Sequence, residues 1–244
     1  MNNPIVIIGP MDCECEYLIS KLQEKNQTIF GGYVFCSGKL NGKDVIVIRS
    51  LMGTVNAAVC TNIAIEKYSP KCVILQGTAG AHKKELNLGD IVIAKNVVPI
   101  CNYISKKRSE NEGYFPFDND DFGIESYSKN SGKTEIVNDF NCDENLVNIA
   151  SSVSYQNGKV HIGTIGTGDV WNKETDLINL INKTKGTLCE AMEGVAVAQV
   201  CQMYAVPMIE IRVISNNELQ DNTEYSKDTA VSCQQFVCDF LDKL

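Results

Sequence analysis

Residues 188–217 constrain this chain more than any other stretch. They open on an acidic, Met-containing turn, Glu190-Ala191-Met192-Glu193-Gly194. From Gly194 to about Tyr204 the spacing of Val195, Ala198, Cys201 and Gln202 predicts a helix. Its small residues, Gly194, Ala196 and Ala198, allow close packing on a sheet. Pro207 stops that helix and opens an apolar run, Met208 to Ile214, that ends at Ser215-Asn216. One charge interrupts the run. An arginine such as Arg212 is rarely buried without a partner. Glu210, two residues back on the same strand face, is the structural candidate for that partner. A carboxylate in a ligand crevice is the functional one. In an open α/β sheet, groups beyond the carboxyl ends of strands line such a crevice. Glu193 could also merely favour a helix N-terminus through the dipole.

The rest of the chain repeats the same alternation. Ile5–Ile8 reads as a strand closed by Gly9-Pro10, followed by Asp12, Glu14 and Glu16 and a helix to about Lys25. Residues 31–38 and 43–49 read as a hairpin turning at Asn41-Gly42. A Gly-containing loop at Gly53 enters a small-residue helix to about Tyr68. Cys72–Leu75 is a strand followed by a Gly-rich turn, Gln76-Gly77-Thr78-Ala79-Gly80-Ala81, where backbone can approach a ligand closely. Lys159–Ile165 is a further strand, ending in Gly166-Thr167-Gly168-Asp169-Val170-Trp171-Asn172. Helices are expected near Thr175–Lys183 and over Thr229–Leu244, the latter with Cys233, Phe236, Val237, Phe240 and Leu244 facing the core. Residues 102–135 are irregular, rich in Asn, Asp, Ser and Lys around Tyr114-Phe115-Pro116-Phe117, and loops this long are usually functional or disordered. No repeat or linker interrupts the pattern, so residues 1–244 read as one α/β domain with a central, mostly parallel sheet.

Composition removes several function classes. A net charge of −8 argues against general nucleic-acid binding. No apolar run approaches the roughly 20 residues of a membrane span, and Met-Asn-Asn-Pro lacks the basic and apolar regions of a signal peptide. Eleven scattered cysteines without a Cys-x-x-Cys pair, beside two histidines, argue against zinc and for free thiols in a reducing cytoplasm.

Several of these segments, in this order, resemble the nucleoside phosphorylase superfamily, and most closely its methylthioadenosine/S-adenosylhomocysteine nucleosidases and futalosine hydrolases. The similarity lies in Met192-Glu193-Gly194 with its small-residue helix, Ile211-Arg212-Val213-Ile214-Ser215-Asn216, Gly53 to Ala58, Gly77 to Gly80, Gly89-Asp90-Ile91-Val92 and Gly168-Asp169-Val170-Trp171. It covers roughly the first hundred residues and the last ninety. The resemblance implies a three-layer α/β/α fold with a mixed sheet, and cleavage of a purine ribosyl bond without cofactor or metal. It implies that Glu14 is the base that activates water, that Met192 and Glu193 grip the ribose, and that Arg212 holds water and orients the carboxylates. Thr78 and Gly80 would line the ribose and water pocket. Trp171 would stack on the purine, the Asn172 backbone would read its edge, and Ser215 and Asn216 would reach it. It also implies a homodimer, with the 102–135 region shaping the pocket for the 5′ substituent. Lys106, Lys107 and Arg108 could meet an anionic 5′ group there or form a solvated basic run.

One departure bears on substrate. The nucleosidases carry Asp where this chain has Asn216, and that Asp donates a proton to N7 of adenine. Asn cannot transfer the proton but can donate one hydrogen bond and accept another, which suits a 6-oxopurine. Futalosine hydrolases share the Asn. The expected substrate is therefore a 5′-substituted purine ribonucleoside, 6-oxopurine or adenine. Phosphorolysis is the enzymatic rival, but phosphate normally needs several arginines. Only Arg49, Arg108 and Arg212 occur, and Leu75 stands where phosphorylases carry one. A non-catalytic nucleoside-binding or storage protein is the remaining alternative.

Overall fold

The computed structural model describes residues 3–113, 119–220 and 225–244. The aromatic cluster Tyr114-Phe115-Pro116-Phe117 lies outside them. The chain is α/β. Parallel pairs form the sheet's centre: β1 (Ile5–Gly9) lies between β4 (Lys43–Arg49) and β5 (Cys72–Ala81), and β5 pairs with β14 (Met208–Asn216). β12 (Val160–Thr167) runs parallel to both β6 (Ile91–Pro99) and β13 (Thr187–Ala191). Antiparallel pairs join these groups, β13 to β5 and β14 to β6. So β5, β14, β6, β12 and β13 close a ring, with β1, β4, β3 (Tyr33–Leu40) and β2 (Gln23–Phe30) extending from β5. Closure removes two sheet edges that would otherwise have to be covered. The alternation of elements indicates the class, but the closure comes from two pairings between distant segments.

The strands at the centre are buried on both faces, and all nine residues of β14 are buried. Helices pack in two groups. The first holds α2 (Thr54–Tyr68) and α5 (Gly194–Tyr204); the second holds α1 (Glu16–Lys21), α3 (Glu144–Ser151) and α6 (Thr229–Lys243). Ala57, Cys60, Thr61, Ala64 and Ile65 give α2 its buried stripe at the 3.6-residue period. It stops at Ser69 in a left-handed conformation, before Pro70. In α6 the core face is Cys233, Phe236, Val237, Phe240 and Leu241, with Leu244 only partly buried.

Three expectations change. The first helix ends at Lys21, and residues expected to continue it form β2, an edge strand exposed along its whole length. Its polar sequence carries neither period, so pairing with β3 decides its state. The Gly-rich turn after Leu75 is instead the second half of β5, kept extended by pairing with β13 and β14. The acidic turn begins inside β13, which helix α4 (Thr175–Lys185) precedes. In the irregular middle, β7 (Tyr103–Ile104) pairs with β8 (Asp120–Asp121), β9 (Ile124–Ser128) and β10 (Lys133–Val137) form a small hairpin, β11 (Phe140–Asn141) pairs with β6, and Lys106 Nζ pairs with Asp120 at 2.7 Å at the surface.

All eleven cysteines are free. Burial pushes the thiols of Cys60, Cys142 and Cys233 up to about 12, which keeps them protonated and unreactive. Among the described residues no helix is long and apolar enough to cross a membrane, and no His, Cys, Asp and Glu group could hold a metal.

Gly194 marks the tightest join of helix to sheet. A Cβ there would fall on Glu210 Oε2 and lie 2.9 Å from Thr167 Oγ1. Gly194→Ala is expected to destabilise the fold by about 1–3 kcal/mol, as overpacking does, seen as a lower urea midpoint at unchanged slope.

Candidate active site

Glu14 sits at the end of a single 3-10 turn, Asp12–Glu14, that β1 delivers beyond its carboxyl end. The turn aims the side chain inward, where it is 1 % exposed. Its Oε1 accepts from the Thr78 backbone N–H at 2.7 Å and from the Thr78 hydroxyl at 2.9 Å. Its Oε2 accepts from the Met11 N–H at 2.9 Å. The turn itself is pinned from behind. Gln234 of α6 donates to the Cys13 carbonyl and accepts from the Tyr17 and Leu18 N–H groups at the start of α1. Gln76 Nε2 donates to the Glu14 carbonyl at 2.5 Å.

Arg212, 1 % exposed, lies in the middle of β14. Both partners foreseen for it are present. Nε donates to Glu210 at 2.7 Å and the terminal nitrogen Nη2 donates to Glu193 at 2.9 Å. Nη1 reaches the Thr78 carbonyl at 3.4 Å. Glu193 Oε1 also accepts from the Gly53 N–H at 3.1 Å, beside the start of α2. That helix start is held by Asp169, which accepts from Thr54 N–H at 2.8 Å and from its hydroxyl at 2.6 Å. Three carboxylates thus surround one guanidinium, an excess of negative charge in a dry setting. Burial pushes Glu14 above its usual carboxylate range; Arg212 and the Thr78 donors oppose this, and Glu193 adds to it. Burial likewise raises Glu210 against the pull of Arg212. Burial works against the Arg212 charge, but Glu210, Glu193 and Glu14 together outweigh it and hold the guanidinium protonated.

Gly77 makes this cluster possible. At φ +156 and with no side chain, it leaves room for Glu14 Oε1 and Arg212 Nη1, each within 2.7 Å of where a Cβ would stand. Above the cluster opens a cavity of about 190 Å³. Glu14, Thr78, Gly80, Trp171, Met192, Glu193, Arg212, Ser215 and Asn216 all line it. The family resemblance implies a site role for each of these residues. Trp171 is half-exposed at the mouth, with Tyr225 edge-on at 5.9 Å. The Ser215 hydroxyl lies 3.1 Å from Asn216 Oδ1 and 3.3 Å from the Ala79 carbonyl and donates to one of them. Asn216 Nδ2 lies 3.4 Å from Glu218 and close to Gly80.

Asn172 is the exception. It does not line the cavity, and its N–H donates to Glu190 Oε1 at 2.8 Å rather than pointing at a ligand. Its side chain donates to Glu190 Oε2 at 2.5 Å. The expected reading of a base by the Asn172 backbone is therefore corrected: Glu190 takes that donor. Sequence reasoning did not assign Glu190, Met52 or Tyr225 to the site, yet all three line the cavity. Glu190 stood in the acidic turn already singled out. Nothing in the local sequence marks Met52 or Tyr225.

Residues 4–244 match the family model of the phosphorylase superfamily. The chain belongs to the phosphorylase superfamily. Among its relatives, a 5′-methylthioadenosine/S-adenosylhomocysteine nucleosidase from Geobacillus sp. is 34 % identical over 96 % of this chain and 90 % of its own length. The solved structure of such a nucleosidase from Colwellia psychrerythraea, in complex with adenine, is 29 % identical, with a TM-score of 0.78 over 100 % of this chain and 96 % of that one. The futalosine hydrolase of Helicobacter pylori shares the fold at 23 % identity and a TM-score of 0.80, over 99 % and 98 % of the two chains.

The raised carboxyl of Glu14 has a measurable consequence for stability. A carboxyl whose folded pKa lies above its unfolded value binds more protons when folded. Its contribution is present below the unfolded pKa and is lost as pH rises to the folded one. Glu14→Gln mimics the protonated form. The unfolding free energy of Glu14→Gln relative to the unmodified chain is expected to grow as pH rises from about 4.3, the unperturbed carboxyl value, and then level off. Urea titrations across pH 4 to 7 measure that difference.

Proposed function

We propose that this chain hydrolyses the N-glycosidic bond of a 5′-substituted purine ribonucleoside. The single observation that carries the reading is the buried Glu14 carboxylate, fixed by three hydrogen bonds beside an Arg212 already committed to Glu210 and Glu193. Glu14 takes a proton from water as the water adds to the anomeric carbon and the bond to the purine nitrogen breaks. The electron pair of that bond leaves with the base, which takes up a proton from solvent. Burial raises the Glu14 carboxyl, the direction that makes it a stronger base. Glu193 accepts hydrogen bonds from the ribose hydroxyls. Those bonds strengthen as positive charge grows on the ribosyl ring, and the surplus of negative charge around Arg212 favours the same cation. Trp171 provides a flat apolar wall for the base, and Asn216 Nδ2 donates to N7 or O6.

Hydrolysis rather than phosphorolysis follows from charge. Among the described residues lining the cavity, Arg212 is the one cation, and its guanidinium is enclosed by carboxylates. A phosphate dianion would meet Glu14 and Glu193 without a compensating donor. Arg49 is elsewhere, paired with Asp12 at 3.1 Å, and Leu75 is an apolar core residue.

A homodimer fits the cavity's open side. Met52, Val55 and Val59 are exposed apolar side chains where α2 begins, and Met52 also lines the cavity. A second copy covering them would enclose the 5′ end of the substrate. The free, mostly buried thiols suit a reducing compartment such as the cytoplasm.

Release of free base from inosine, futalosine, methylthioadenosine and S-adenosylhomocysteine, with and without phosphate, tests the reading. Base release independent of phosphate is expected, and release only with phosphate would overturn the role of Glu14. Glu14→Gln should lower kcat by at least about 100-fold, in the range of a lost general base. In the unmodified enzyme kcat/KM should rise with pH along an acid limb displaced above the ordinary carboxylate range, as Glu14 gives up its proton.

A further inference from the structure

Helix α2 begins without a cap of its own, because its N-cap is Gly53, which has no side chain to accept from the first turn. The acceptor comes from a residue 115 positions further along the chain. Asp169 turns both carboxylate oxygens on one residue: Oδ1 accepts from the Thr54 N–H at 2.8 Å, and Oδ2 from the Thr54 hydroxyl at 2.6 Å. Gly53 is fitted to this contact. It lies at φ +95, where other residues are strained, and a Cβ there would stand 3.1 Å from Asp169 Oδ1. A carboxylate at a helix N-terminus meets unpaired N–H groups and the positive end of the dipole. That much would make Asp169 a stabilising cap.

Each end of the contact also carries part of the cavity wall. On the α2 side, the Gly53 N–H donates to Glu193 Oε1 at 3.1 Å, and Met52 lines the cavity. On the other side, Gly168 N–H donates to the Ala191 carbonyl at 3.1 Å, and the chain then passes through Asp169 to Trp171, its only tryptophan. Two side-chain anchors hold the backbone on either side of Trp171. Asn172 is tied to Glu190, and Asp169 is tied to Thr54. Of these two, the Asp169 contact is the one that crosses to the segment whose N–H fixes Glu193.

Resting on the nucleosidase reading above, we propose that Asp169 is a positioning residue that holds the Glu193 carboxylate and the Trp171 wall at one fixed spacing. It does not line the cavity. Through Thr54 and Gly53 it sets one of the N–H groups that aim Glu193, and through its own segment it sets Trp171. Releasing the contact frees the two walls from each other. Glu193 then loses aim where charge develops on the ribosyl ring, which lowers kcat. Trp171 loses its place against the base, which raises KM.

Asp169→Ala and Asp169→Asn test this together, with methylthioadenosine and futalosine as substrates. Asp169→Ala should lower kcat/KM by about 10- to 100-fold, the cost of a small misplacement, with loss in kcat and a rise in KM. Asp169→Asn should recover most of both, because its Oδ1 still accepts from the Thr54 N–H and its Nδ2 can donate to the Thr54 hydroxyl. Asp143→Ala is the control for stability alone. Asp143 caps α3 by accepting from the Leu146 N–H at 3.0 Å, so its loss should lower the urea midpoint and leave kcat and KM as they are. Unchanged kinetics in Asp169→Ala overturn the proposal. If Asp169→Asn falls as far as Asp169→Ala, the carboxylate acts by its charge and the positioning role is overturned. A second arm needs no turnover. Acrylamide quenching of the single tryptophan should rise, with a red-shifted emission, in Asp169→Ala under conditions where far-UV circular dichroism is unchanged. Quenching equal to that of the unmodified chain overturns the proposal. If the unmodified chain cleaves no nucleoside, the nucleosidase reading fails, while quenching still decides whether Asp169 holds the Trp171 segment.

Discussion

Arg212 lies in the centre of a fully buried strand, and a guanidinium there is tolerable only with its charge matched and its donors filled. Glu210 from its own strand and Glu193 from the start of α5 meet that demand. Glu14, from the first βα turn, completes the negative shell without a direct hydrogen bond to it. Segments far apart in the chain thus converge on one cation. Gly77 leaves the space, Gly53 and Thr78 supply backbone donors, and Gln234 of the last helix anchors the turn that carries Glu14. Losing Arg212 would leave its buried carboxylates without a counter-charge, so the fold's core and the candidate site share this residue.

That arrangement also sets the chemistry. Three carboxylates around one guanidinium leave negative charge in excess, and burial raises two of them, Glu14 and Glu210. A cation-like sugar is welcome in such a field and a phosphate dianion is not. Glu14 lines the cavity, while Glu210, wholly enclosed, serves the arginine.

The cavity above this cluster is framed by strand ends. β5 is shared: Thr78 holds the Glu14 carboxylate, and Gly80 separates Asn216 from Glu190. Because β5, β14, β6, β12 and β13 close a ring, these strands are fixed relative to one another by backbone pairing on both sides. Rigidity of this kind suits hydrogen-bond readout of a base, where small displacements cost much of the discrimination.

The α5 helix, the strand that follows it, the hairpin at Asn41-Gly42 and the closing helix were legible because apolar spacing and turn residues act over a few positions. Arg212 in an apolar run announced a carboxylate partner, and the motifs along the chain named about half of the residues that line the cavity. Tertiary structure alone decided the rest. β2 is a strand because β3 pairs with it, and Gly77 to Ala81 stay extended because two strands flank them. Asn172 turns to Glu190 instead of a ligand, and Glu190 comes to face Asn216, through registers between segments far apart in sequence. Local sequence carries propensity and period. Which strand lies beside which, and in what register, is settled by burial and backbone pairing over the whole chain, and no short stretch contains it.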